Sequence, residues 1–293
     1  MQQFSGTGVA VVTPFSSDYT LDTYALRKTI NHLIDGKVEY LVVLGTTGES
    51  ATLSSEEKKR VIDIFFEETD NRIPLVLGSG GNNTAEICKQ VEYYTEKYRP
   101  AGILSVSPYY NKPSQEGIYQ HYKAVAGSTD LPVILYNVPG RTSSNVLAPT
   151  TLRLAHDCSN IVAVKEASGN FEQFMEILRE RPAGFQVLSG DDSISIPMIS
   201  LGAEGTISVI ANALPLEFSD MIRAALAGKY EEAREIHYRI FPFMQLIFRE
   251  GNPVGIKVLM EMLGICSPTV RLPLVEGTAA LREAIQGQLA ATR

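Results

Sequence analysis

The 293-residue sequence is poor in the groups that mark several protein classes: three cysteines, four histidines, fewer basic than acidic residues, and no long uninterrupted apolar run. Each shortage excludes something. Cys88, Cys158 and Cys266 lie far apart with no CxxC pair, a pattern of reduced thiols and not of a disulfide framework. His32, His121, His156 and His237 show no HExxH-type spacing, which argues against a metal centre. Lysine and arginine number 26 against 33 acidic residues, a net charge of −7, so there is no general electrostatic pull on nucleic acid or anionic membrane. No stretch approaches the roughly 20 apolar residues of a membrane helix. The opening MQQFSGTGVAVVTPF has neither a basic region nor a long apolar core, so it does not read as a signal peptide. The expectation is a soluble, cytoplasmic globular protein.

What the sequence does have is rhythm. Eight short apolar runs recur at Gly8–Pro14, Tyr40–Gly45, Pro74–Gly78, Gly102–Pro108, Pro132–Asn137, Ile161–Glu166, Phe185–Gly190 and Gly205–Val209. They are rich in Val, Ile and Leu and nearly continuous in hydrophobicity, as strands buried on both faces are. Between them lie helix signals. Ser54 with Glu57 forms a capping box ahead of Lys58–Glu68, Pro149 opens Thr150–His156, and Ser114–Ala126 and Phe171–Arg179 have helical spacing. Eight βα repeats in about 200 residues predict a (β/α)8 barrel, with a doubly wound open sheet as the structural competitor. Beyond Pro215 only helical patterns follow, at Glu217–Ala227, Tyr230–Phe248, Pro253–Leu263 and Thr278–Leu289. The predicted organisation is a barrel over residues 1–226 and a carboxy-terminal helical region over 227–293 packed on it.

In such a barrel the chemistry gathers at the carboxy-terminal ends of the strands. Lys165 interrupts the apolar IVAVKEAS. It is either a lysine snorkelling to solvent or an amine nucleophile for a carbonyl substrate, since an amine set among apolar neighbours loses its proton more readily. GTTGES, at Gly45–Ser50, places two hydroxyls between glycines; it is either a well-capped turn or a loop whose amides hold a carboxylate or phosphate. It lacks the Lys-Ser/Thr ending of a Walker loop, and GSGGNN at Gly78–Asn83 lacks the third glycine of a dinucleotide loop. Tyr109, Tyr110 and Tyr136 are individually packing residues, but with Thr46 they could form a hydroxyl chain that moves a proton. Arg141, past a Pro-Gly, is either a surface arginine or a clamp for a substrate carboxylate. Asp191 and Asp192 have no companion ligands, so they read as structural or substrate-adjacent groups and not as a metal site.

Five of these segments together, GTTGES, the YYN of Tyr109–Asn111, YNVPGRT of Tyr136–Thr142, VKEASGN of Val164–Asn170 and LSGDD of Leu188–Asp192, resemble the dihydrodipicolinate synthase family of class I aldolases. The resemblance runs along essentially the whole chain. It implies a lyase with no cofactor and no metal, in which Lys165 forms a Schiff base with pyruvate and L-aspartate 4-semialdehyde is the second substrate, on the diaminopimelate route to lysine. It further implies that Thr46, Tyr110 and Tyr136 relay protons, that Thr47 and the Ile207 main chain hold pyruvate, and that Arg141 binds the aldehyde substrate's carboxylate. A homotetramer built as a dimer of dimers is expected, with Tyr110 reaching a neighbouring subunit. A lysine-binding allosteric site would draw on Ser50, Ala51, Asn82, Glu86 and Tyr109, although Ser55 and Lys58 stand where the family pattern often has histidines. The competing readings are a non-catalytic metabolite sensor on the same barrel and a pyruvate aldolase using a different aldehyde.

Overall fold

A computed structural model describes residues 3–292. Eight parallel strands close into a barrel in chain order: β1 Gly6–Ala10, β2 Tyr40–Val43, β3 Leu75–Gly78, β4 Gly102–Val106, β5 Val133–Asn137, β6 Ile161–Glu166, β7 Gln186–Ser189 and β8 Gly205–Ser208. Most strand residues are buried, which is why the runs read as continuously apolar. Seven of the eight strands match the sequence expectation to within about two residues at either end. The first differs: it spans Gly6–Ala10, with one more bond to β2 from Val11 N to Val42 O at 3.0 Å, and does not run on to Pro14. Beyond Val11 side chains take part. Val12 N donates to Asn212 Oδ1 at 3.1 Å, and the Thr13 hydroxyl donates to Gly48 O at 2.7 Å.

The chain divides into two compact units. One comprises Pro74–Ile207 with the amino-terminal residues up to Ser5, and so carries β3 to β7 and most of β8. Its helices include Thr84–Lys97, Gln115–Gly127, Ala148–Asp157 and Phe171–Glu180. Ser114 caps the second of these by accepting from Gly117 N, and Pro149 lies in the first turn of the third, as the sequence signals indicate. Register within this unit decides which side chains share a face. Tyr136 is paired with Lys165, and Asn137 with Glu166. Because successive strand residues alternate, Lys165 and Tyr136 share one face and Glu166 and Asn137 the other.

The other unit comprises Gly6–Ile73 and Ser208–Arg293. It holds β1 and β2, the helices Thr23–Asp35 and Ser55–Thr69, and the carboxy-terminal helices Pro215–Leu226, Tyr230–Leu246, Val254–Met262 and Ala279–Ala291. The capping box of Ser54 and Glu57 is formed in both directions. At Gly255 a Cβ would stand 2.3 Å from Ile247 O, so only glycine lets the helix Val254–Met262 begin this close to the end of Tyr230–Leu246. That contact sets the short turn carrying Asn252.

Candidate active site

Within the first unit, Lys165 is the next-to-last residue of β6 and only 4% exposed. Its Nζ lies 4.2 Å from the centre of the buried Tyr136 ring, a cation–π distance that holds the ammonium beside the phenol-bearing strand. Gly190, just past β7, makes room for the lysine: a Cβ there would meet Ala167 Cβ at 2.5 Å and Lys165 Cε at 3.2 Å. Asp191 follows. Burial pushes its carboxyl up, opposed by the positive charge of Lys165, so the two groups are in electrostatic reach of each other.

The opposite face of β6 is held by hydrogen bonds. Glu166 is buried and accepts from Asn137 Nδ2 at 3.1 and 3.0 Å, Gln173 Nε2 at 3.1 Å and Ser168 N at 2.8 Å. Burial raises its pKa, and these donors pull it back. Glu166 is thus tied on one face of β6, while Lys165 lies on the other.

The remaining residues of this unit singled out by sequence are more open. Arg141 lies exposed in the short helix Pro139–Thr142. Tyr109 and Tyr110 are 41% and 87% exposed in the loop after β4, and Tyr110 adopts φ 73°, a backbone region costly for a non-glycine residue. Asn82 Nδ2 donates to Tyr109 O at 3.4 Å, which brings two of the expected lysine-binding residues together; Glu86 is paired with Lys89 at 3.1 Å. Ile207 is fully buried in β8.

The second unit holds the GTTGES loop. Thr46–Gly48 forms a single 3-10 turn in which Thr46 is exposed and Thr47 buried. Glu49 then takes a left-handed φ of 51°. The loop is pinned at three successive residues. Asn252 Nδ2 donates to Thr47 Oγ1 at 2.8 Å, Thr13 donates to Gly48 O, and Lys257 Nζ reaches Glu49 Oε1 at 2.5 Å. Lys257 and Glu49 are both buried, and Lys257 also donates to Thr269 O at 2.9 Å and lies 4.4 Å from the Phe15 ring centre. Arg271 N completes the shell on Glu49 Oε2 at 2.9 Å, and the Arg271 guanidinium forks onto Glu57. Burial lowers the Lys257 pKa, opposed by Glu49.

Sequence reading missed Glu166 and Gln173 around Lys165, and Asn252, Glu49 and Lys257 around Thr47. One signal was available: Val254–Met262 is almost wholly apolar around a single early lysine, so that lysine had to be buried and paired. The partner was not legible, because it lies 208 residues away. Among the described residues, no helix is long and apolar enough to cross a membrane, and no group of three or more His, Cys, Asp or Glu is placed to hold a metal ion.

A profile of the Dihydrodipicolinate synthetase family matches residues 3–292. The chain belongs to this family. Among similar family members of known name, 4-hydroxy-tetrahydrodipicolinate synthase of Flavobacterium psychrophilum is 52% identical over 276 residues, 94% of each chain. The enzyme of the same name from Parabacteroides distasonis is 51% identical over 92% of this chain and 91% of its own. The dihydrodipicolinate synthase crystal structure from Aquifex aeolicus superposes with a TM-score of 0.95 at 41% identity, covering 98% of both chains. A monomeric dihydrodipicolinate synthase variant superposes with a TM-score of 0.96 at 36% identity, covering 99% of this chain and 97% of that one.

Proposed function

We propose that Lys165 is the amine through which this family member condenses pyruvate with L-aspartate 4-semialdehyde to give 4-hydroxy-tetrahydrodipicolinate. The chain is a lyase of this family, and the synthesis belongs to the diaminopimelate route to lysine. The observation that carries the assignment of Lys165 is its burial at the end of β6 beside Tyr136, with Gly190 clearing its path. The deprotonated amine adds to the keto carbon of pyruvate, and the carbinolamine expels water to give the imine. Loss of a proton from the pyruvate methyl group gives the enamine, whose carbon attacks the aldehyde. The amino group of the second substrate then attacks the imine carbon, closing the ring and releasing Lys165 with its proton. One water leaves per product.

Tyr136 is the acid and base at the imine, with Thr46 and Tyr110 passing protons onward; Thr47 and the Ile207 main chain hold the pyruvate carboxylate, and Arg141 holds that of the semialdehyde. Tyr110, 87% exposed on a costly backbone, is suited to reach into a second subunit, and the assembly proposed is a homotetramer made of two dimers. The monomeric variant among the structural relatives makes sedimentation the direct test of that assembly. The location is the cytoplasm, and the catalytic barrel spans 1–226 with 227–293 as its helical appendage. A regulatory lysine is held by Ser50, Ala51, Asn82, Glu86 and Tyr109; the Asn82–Tyr109 contact supports this, and a dihydrodipicolinate synthase structure from Cyanidioschyzon merolae is described with lysine bound.

The test is intact mass after incubation with pyruvate and borohydride. The wild type gains one reduced pyruvate adduct and Lys165→Ala gains none, with its turnover reduced by at least about a thousandfold. An adduct of equal yield on folded Lys165→Ala overturns the assignment.

A further inference from the structure

We propose that Asn252 is a positioning residue that orients the Thr47 hydroxyl as a hydrogen-bond donor toward the pyruvate carboxylate. The inference rests on the reading of Thr47 as a pyruvate contact and adds how its proton is aimed. A threonine hydroxyl has one proton and two lone pairs. Asn252 Nδ2 donates to Thr47 Oγ1 at 2.8 Å, occupying a lone pair, so the hydroxyl proton cannot be spent on Asn252. No acceptor among the described residues takes that proton. Thr47 and Asn252 are buried, with 2% and 7% exposure, so bulk water competes poorly for it. An amide on one side of a hydroxyl therefore selects an anion on the other, which is the polarity a ligand carboxylate requires.

The remaining contacts hold this pair in place. Asn252 sits in the turn fixed by the close approach of Gly255 to Ile247. On the loop side, Thr13 holds Gly48 and Lys257 holds Glu49, so the two residues that follow Thr47 are both anchored. Glu49 takes its costly left-handed backbone with this ion pair holding its side chain. Helix Val254–Met262 thus supplies the lysine that shapes the loop, and the turn that leads into it supplies the amide that polarises the hydroxyl.

The decisive variant is Asn252→Asp, because a carboxylate can only accept. It draws the Thr47 proton to itself, turns hydroxyl lone pairs toward the ligand, and adds like charge beside it. The expected result is a pyruvate KM raised about tenfold or more, as loss of a hydrogen bond to a charged group entails. At saturating pyruvate kcat changes less than about threefold, and the KM for the semialdehyde stays within about twofold. Thr47→Val is measured alongside and raises the pyruvate KM comparably. In the Thr47→Val background Asn252→Asp then adds less than about twofold, because the hydroxyl it acts through is gone.

A pyruvate KM within twofold of wild type in Asn252→Asp, with Thr47→Val impaired, overturns the role of Asn252. So does an Asn252→Asp effect undiminished in the Thr47→Val background, or an equal loss in kcat and both KM values. A pyruvate KM unchanged in Thr47→Val overturns the reading of Thr47 itself, and the role of Asn252 falls with it. Circular dichroism checks folding. If Asn252→Asp does not fold, Asn252→Ala replaces it: a raised pyruvate KM that vanishes on the Thr47→Val background supports the proposal, and an unchanged KM overturns it.

Discussion

Two buried carboxylates, one beside Lys165 and one beside Thr47, are accommodated in opposite ways. Glu166, next to Lys165, sits in a shell of neutral donors, the amides of Asn137 and Gln173 and the Ser168 backbone. Glu49, beside Thr47, faces the buried ammonium of Lys257 and the Arg271 backbone. The neutral shell spans residues 137 to 173 and is assembled by adjacent strands and the helix that follows them. The ion pair joins positions 208 residues apart. The difference teaches where each segment is vulnerable. Removing an amide from Glu166 leaves a carboxylate with other donors, whereas removing Lys257 leaves a buried charge without its counter-ion.

Breaking the ion pair therefore has the larger expected effect. Lys257→Met lowers stability in urea by about 3–5 kcal/mol, the range for stranding one member of a buried pair. The double variant Glu49→Gln with Lys257→Met recovers a large part of this, since no charge is then buried. A double variant as unstable as the single one would show that the pair acts through shape and not charge.

A third buried ionisable group sharpens the contrast, because burial there removes the charge instead of pairing it. His121 donates or accepts through Nδ1 with Thr84 Oγ1 at 2.9 Å, its Nε2 is buried, and burial lowers its pKa to about 4. The folded pKa lies below the ordinary value of about 6.5, so below pH 6.5 the unfolded chain takes up a proton that the folded chain refuses. Stability is lost as pH falls from about 6.5 toward 4, by up to about 3 kcal/mol. Thermal melts of wild type and His121→Asn across that range check it: the variant should show the shallower decline.

Glu166→Gln gives the smallest of the three effects, about 2 kcal/mol, as an amide replaces an acceptor facing only donors. Its Lys165 adduct should still form, more slowly, because β6 retains its ladder to β5 and β7. A loss as large as that of Lys257→Met would erase the distinction between the two carboxylates.

Local signals were legible wherever the physics is local. The capping box at Ser54, the proline opening Ala148–Asp157 and the strand runs all express short-range hydrogen bonding or two-sided burial. Lys165 was legible because a charge inside an apolar strand demands a reason. β1 was misplaced by a few residues because its end is set by Asn212 and Gly48, not by its own apolar run. Glu49 was visible only as part of a glycine-rich loop, and nothing near it in sequence announces Lys257.

By itself the amino-acid sequence determined the βα rhythm, the polar residues at the strand ends and the family, since these follow from periodicity and from residues close together in the chain. The tertiary structure alone decided which buried charges meet, that Asn252 lies on Thr47, and that Lys165 lies against Tyr136 with Gly190 clearing the way. The physical reason is that buried charges and hydroxyls take their direction from partners brought to them by folding, and sequence distance carries no record of which partner arrives.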